Sequence, residues 1–166
     1  EDYTNLYADL TQGQNYTLYV STGDCNGYNF PSGGYAFIDW NVDGDFNDPG
    51  ENIGAIPFGD TISNTSVPIN FTVPVNGSYG PTRMRIMTQF SSQSNTNTAT
   101  SCDVGIFNPL TSNYLEPWYG ATEDYSLTIY PDTTNISLVW SNGDTINNLI
   151  NLSSTTYSVQ VTSNGC

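Results

Sequence analysis

The chain has 166 residues, room for one ordinary domain and part of another. It carries 16 acidic residues against two basic ones, Arg83 and Arg85, and no His, for a net charge of −14. Phosphate backbones and anionic lipid both demand a Lys/Arg surface, so nucleic acid and membrane-surface docking are excluded as partners. The usual proton shuttles of acid–base enzymes, His and Lys, are also missing. Solubility comes from Ser, Thr and Asn, 58 residues together, and aromatics reach 13%. That composition argues against disorder and suits β-structure at an extracellular surface. No run of 18 apolar residues is present, so no transmembrane helix and no membrane insertion is expected. The chain opens on Glu1-Asp2-Tyr3, with neither an initiator Met nor a signal peptide, as after loss of an upstream segment.

Taken in chain order, apolar residues alternate with period two, and no window shows helical spacing over three turns. Asn15–Ser21 places Tyr16, Leu18 and Val20 on one face. Gly34–Asn41 places Ala36, Ile38 and Trp40 on one face, with Tyr35 and Phe37 opposite. Further rows are Ile69, Phe71 and Val73; Met84 and Ile86; Tyr125, Leu127 and Ile129; and Tyr157, Val159 and Val161. Gly, Pro, Asn and Asp clusters such as Ser32-Gly33-Gly34 and Val75-Asn76-Gly77 separate them. Short strands joined by turns predict an all-β sandwich or barrel. Residues 39–51 read as an acidic loop. Residues 90–119 read as a long insertion, first polar and then aromatic (Phe107, Tyr114, Trp118, Tyr119). A boundary falls at Pro131-Asp132-Thr133-Thr134, giving a main domain over 1–130 and a small β segment over 131–166. The segment offers too few strands to stand alone.

The sharpest local signal is Asp39-Trp40-Asn41-Val42-Asp43-Gly44-Asp45-Phe46-Asn47-Asp48-Pro49-Gly50-Glu51, which holds five of the 16 acids. The spacing D-x-N-x-D-G is the first half of an EF-hand-type loop, in which side chains at alternate positions converge on calcium and Gly44 permits the sharp turn. The acid that should close the loop at position twelve falls one later, at Glu51. The expected calcium ligands are Asp39, Asn41, Asp43, Asp45 and Glu51, with Asp48 in reserve and Phe46 anchoring the loop to the core. The bland reading is a solvated acidic loop, but five acids this close repel one another without a cation.

Three cysteines make an odd count; in an oxidising compartment Cys25 pairs with Cys102 and Cys166 is left over, the alternative being three inert thiols. N-x-S/T triplets occur at Asn15, Asn64, Asn70, Asn76, Asn135 and Asn151. Asp-Thr-apolar triplets, similar to the O-glycosylation signal of gliding gram-negative bacteria, make Thr61, Thr133 and Thr145 glycosylation candidates. No catalytic triad can form without His, and pairs such as Glu116 with Glu123 or Asp124 are weak grounds for a glycosidase. No enzyme is expected.

Tyr35–Phe46, Gly50-Glu51, Thr82-Arg83-Met84-Arg85 and Gly120-Ala121-Thr122-Glu123-Asp124-Tyr125 together resemble the GEVED domain. Ala121-Thr122 stand where its hallmark has Glu-Val. The resemblance covers roughly residues 1–130 and implies an antiparallel β-sandwich, jelly-roll or Ig-like, carried by large secreted bacterial surface proteins. It also implies that Arg83 or Arg85 answers Glu123 or Asp124 in a structural salt bridge; a site for an acidic ligand is the alternative. The tail, Val139–Thr145 and Tyr157–Cys166, resembles the Ig-like repeats of gliding-bacterium surface adhesins but lacks their last strand. Two functions follow as expectations. One is a calcium-stabilised subunit of an extracellular surface fibre or adhesin, pairing head-to-tail with copies of itself or with neighbouring domains. The other is a carbohydrate-binding module using the aromatic residues of 90–119 to hold glycans.

Overall fold

The computed structural model describes residues 2–23, 31–57, 65–90, 100–102, 107–108, 113–114, 120–133, 136–146, 150, 152–153 and 156–163; at 107, 108, 113, 114 and 163 it describes the backbone alone. The chain divides into two compact units, Glu1–Tyr130 and Pro131–Cys166. The described residues are all β: β1 (Asp2–Thr11), β2 (Asn15–Ser21), β3 (Ser32–Ile38), β4 (Asn52–Ile56), β5 (Ser66–Thr72), β6 (Gly80–Phe90), β7 (Phe107–Asn108), β8 (Asn113–Tyr114), β9 (Ala121–Tyr130), β10 (Ile136–Trp140) and β11 (Val159–Ser163).

In the first unit a five-stranded sheet runs β1-β9-β6-β3-β4, and β2 pairs with β5 in a second sheet. The larger sheet is mixed rather than purely antiparallel, because β1 lies parallel to β9, with a register shift between Tyr3 and Tyr7. The period-two faces read from the sequence meet between the sheets. Ala36, Ile56 and Ile86 of the large sheet close on Val20 and Ile69 of the small one. Leu10, Ile38, Trp40, Leu127 and Ile129 join Val73, with Tyr16 and Phe71 packed alongside. Removing these side chains from water at about 25 cal/mol per Å² is what makes a sandwich of short strands cohere.

The outer face of the large sheet is also partly covered. Phe37, Met87 and Phe46 form a third buried cluster, so the acidic loop folds back and plugs that face with Phe46. The Phe37 and Phe46 ring centroids lie 6.1 Å apart. Residues 90–119 contribute the two-residue pair β7–β8; the side chains of Phe107, Tyr114, Trp118 and Tyr119 lie outside the described residues.

Gly120, directly before β9, shows how tightly this sheet is assembled. A Cβ there would sit 1.8 Å from the backbone oxygen of Thr88. Gly120→Ala is therefore expected to cost about 3 kcal/mol or more, since a backbone oxygen cannot step aside as a flexible side chain does. An unchanged urea midpoint for this variant would refute the close approach.

The second unit is the antiparallel pair β10–β11, from Ile136↔Ser163 to Trp140↔Val159. Ile136, Val139, Val159 and Val161 are all exposed.

Candidate metal centre

The acidic loop links β3 to β4, and its carboxylates divide into two sets by what they bond. Asp39 and Glu51 turn inward and are 5% and 1% exposed. Asp39 Oδ1 accepts the Val42 N–H at 2.6 Å and its Oδ2 accepts the Gly44 N–H at 3.1 Å. These bonds hold Val42 and Gly44 in left-handed backbone, φ 61° and 95°. That conformation suits Gly44 and strains the β-branched Val42. Glu51 Oε1 accepts the Trp40 N–H at 3.0 Å and Oε2 the Asp48 N–H at 3.1 Å. Burial pushes the Glu51 carboxyl above its usual range; the two N–H donors oppose this, and the neighbouring Asp39 and Asp48 carboxylates add to it.

Asp43, Asp45 and Asp48 form the second set. They face solvent, and one carboxylate oxygen from each lies within 4.8 Å of the others. Asn41 joins them, its Nδ2 donating to Asp43 Oδ2 at 2.9 Å and to Asp48 Oδ2 at 2.5 Å. The N–H of Asp45 donates to Asp43, and the N–H of Asn47 to Asp45. The Asp45 N–H and then the Asn41 amide hold the Asp43 carboxyl below its usual range. The structure thus gathers Asn41, Asp43 and Asp45 of the expected ligands, brings in the reserve Asp48, and gives Asp39 and Glu51 to the loop backbone. The three carboxylates supply oxygen ligands that fit a hard divalent cation, while Asn41 turns its amide nitrogen, not its oxygen, toward them.

The loop is tied to the far side of the sheet through Arg85. Its guanidinium lies 4.9 Å from the Phe46 ring centroid. Nε and Nη2 donate to the two oxygens of Asp124, both at 2.7 Å, and Nη1 donates to the Ser101 carbonyl at 2.7 Å. Asp124 lies directly across from Arg85 on β9, so the register delivers the pair. This bidentate contact raises the Arg85 pKa further. Arg83 reaches Asp124 only at 3.7 Å, with its side chain 56% exposed. Glu123 instead accepts the Tyr125 hydroxyl at 2.7 Å. Tyr125 in turn stacks on Tyr3 at 5.6 Å. The role of the Ser101 carbonyl had no signal in the sequence, because a backbone acceptor carries no residue preference.

Arg85→Ala is expected to lower stability by about 2–3 kcal/mol, because it strands the Asp124 carboxylate and uncovers Phe46. Arg85→Lys restores little, since an ammonium cannot grip both carboxylate oxygens and the Ser101 carbonyl together. A melting temperature unchanged by Arg85→Ala would overturn this account.

Cys102 is exposed and free among the described residues; the pairing with Cys25 expected from the sequence involves a residue outside them, as does Cys166. Of the glycosylation candidates, Thr133 and Thr145 are exposed, and Thr61 lies outside the described residues.

These observations define an all-β sandwich module whose acidic loop is latched, through an aromatic ring and one arginine, to an acid at the start of the unit's last strand. A family model, the GEVED domain, matches residues 34–128, and the chain belongs to that family. No curated protein and no solved structure matches the chain.

Proposed function

We propose that the chain is a calcium-stabilised structural module of an extracellular bacterial surface fibre or adhesin, joined head-to-tail to further copies by β-strand pairing. The second unit is read as an Ig-like segment. The observation that carries the assembly is the second unit itself: β10 and β11 pair with each other, while Ile136, Val139, Val159 and Val161 stand exposed. Two strands with exposed apolar residues are marginal alone, and among the described residues these two pair only with each other, so their outer edges are the ones offered to another chain. The first unit offers a matching edge in β1, where Leu6 and Tyr7 are exposed. Strand addition from the second unit of one copy to β1 of the next would join unlike surfaces, a contact that propagates instead of closing. The high Ser/Thr/Asn content, the loop suited to calcium and the absence of Lys and His agree with work outside a cell.

Light scattering on the full chain in millimolar calcium tests this. Assemblies well above the 18.1 kDa chain mass are expected, with filaments in electron micrographs. The pair Val139→Lys and Val161→Lys is expected to return them to single chains. A monodisperse 18.1 kDa particle at every concentration would rule the assembly out.

A further inference from the structure

The outward face of the β2–β5 sheet is unlike the rest of this acidic chain. Neither strand contains a charged residue, although the whole carries −14. Alternation sends Tyr16, Leu18 and Val20 inward and leaves Asn15, Thr17 and Tyr19 outward. Across the ladder these face Thr72, Asn70 and Pro68. The polar members pair crosswise: the Thr17 hydroxyl donates to Asn70 Oδ1 at 2.7 Å, and the Thr72 hydroxyl donates to Asn15 Oδ1 at 2.6 Å. The Asn and Thr of two N-x-T triplets therefore hold each other in place through the Asn Oδ1 atoms, on two asparagines that are exposed. A shallow depression of about 320 Å³ is lined by these four residues together with Tyr16 and Phe71. Beside them Tyr19 stands 67% exposed next to Pro68.

We infer that this face binds a neutral polysaccharide chain. Fixed amide donors and hydroxyls match the donor–acceptor pattern of sugar hydroxyls, and their mutual bonds remove the rotamer entropy that binding would otherwise cost. A flat aromatic ring beside them stacks on the C–H face of a sugar ring. The lack of charge suits an uncharged occupant and repels neither partner. The residues of this face are not those of the proposed assembly contact, so the inference stands or falls independently of the proposed fibre.

Affinity electrophoresis of the full chain through native gels containing hydroxyethyl cellulose, galactomannan or dextran tests it, with polygalacturonate as the charged comparison. Retardation is expected in at least one neutral gel and none in polygalacturonate. Tyr19→Ala is expected to weaken the association about tenfold. Thr17→Val, which keeps the β-branched shape and removes the hydroxyl, is expected to weaken it as well, with melting temperatures within about 2 °C of the parent. No retardation in any neutral gel, retardation equal in polygalacturonate, or retardation untouched by Tyr19→Ala would each overturn the inference.

Discussion

Stripping calcium with EGTA is expected to lower the melting temperature of the full chain by about 10 °C. The exposed triad of Asp43, Asp45 and Asp48 is the reason: three carboxylates converge with no Lys or Arg among them. A cation that binds the folded loop and not the unfolded chain stabilises by about 2.7 kcal/mol when its concentration is 100 times its dissociation constant. For a unit of this size that corresponds to a shift of roughly 10 °C. Magnesium should protect less, since it demands tighter octahedral geometry and dehydrates reluctantly. The paired substitution Asp43→Asn and Asp45→Asn supplies the internal control. It should abolish the calcium response, yet match or exceed the parent in EGTA, because it removes the repulsion along with the site. Identical melting curves for the parent chain in calcium and in EGTA would dispose of the metal.

Glu51→Ala should be the most damaging substitution in the loop, by about 3–5 kcal/mol. Glu51 is a buried acid that accepts two backbone N–H groups, from Trp40 and Asp48. Its own carbonyl also accepts the Ile38 N–H at 2.9 Å, so this one residue fastens both ends of the loop. Truncation leaves the buried Trp40 N–H and the part-buried Asp48 N–H without their acceptor and opens a cavity beside Trp40. Glu51→Gln keeps the shape but turns an NH₂ donor toward an N–H donor, so about 2 kcal/mol is expected to be lost. Urea unfolding followed by Trp fluorescence measures both variants. A loss below about 1 kcal/mol for Glu51→Ala, the level of an ordinary surface change, would show that the carboxylate does not hold the loop.

The strands that face the core on one side were legible. β2 has the bounds that its alternation predicts, and β3 carries the predicted inward pair Ala36 and Ile38. β1 was not legible, because only Leu10 of its ten residues is buried and the rest carry no periodic apolar signal. β4 is five residues with Gly54 at the centre, too short for alternation to rise above its neighbours. At the site, spacing identified the loop and its acids, and Phe46 does anchor it. The split between carboxylates that bind backbone and carboxylates that face solvent was hidden, since it depends on where the N–H groups of Val42, Gly44 and Asp48 point. The pairing of Arg85 with Asp124 rests on register, which a period-two pattern leaves open by any even shift.

The parallel ladder between β1 and β9 has a kinetic consequence. Asp2 sits across from Asp124 and Thr11 from Tyr130, so the large sheet is completed by contacts between residues about as far apart as the first unit allows. Closing so long a loop is paid for in entropy before any contact repays it, which places folding in the millisecond-to-second range typical of all-β domains, not among microsecond folders. Among the described residues β1 pairs only with β9, and its few buried side chains give it little reason to associate earlier. A chain made or threaded from its N-terminus therefore stays open until residue 130 is free, then shuts by docking its first strand against its last.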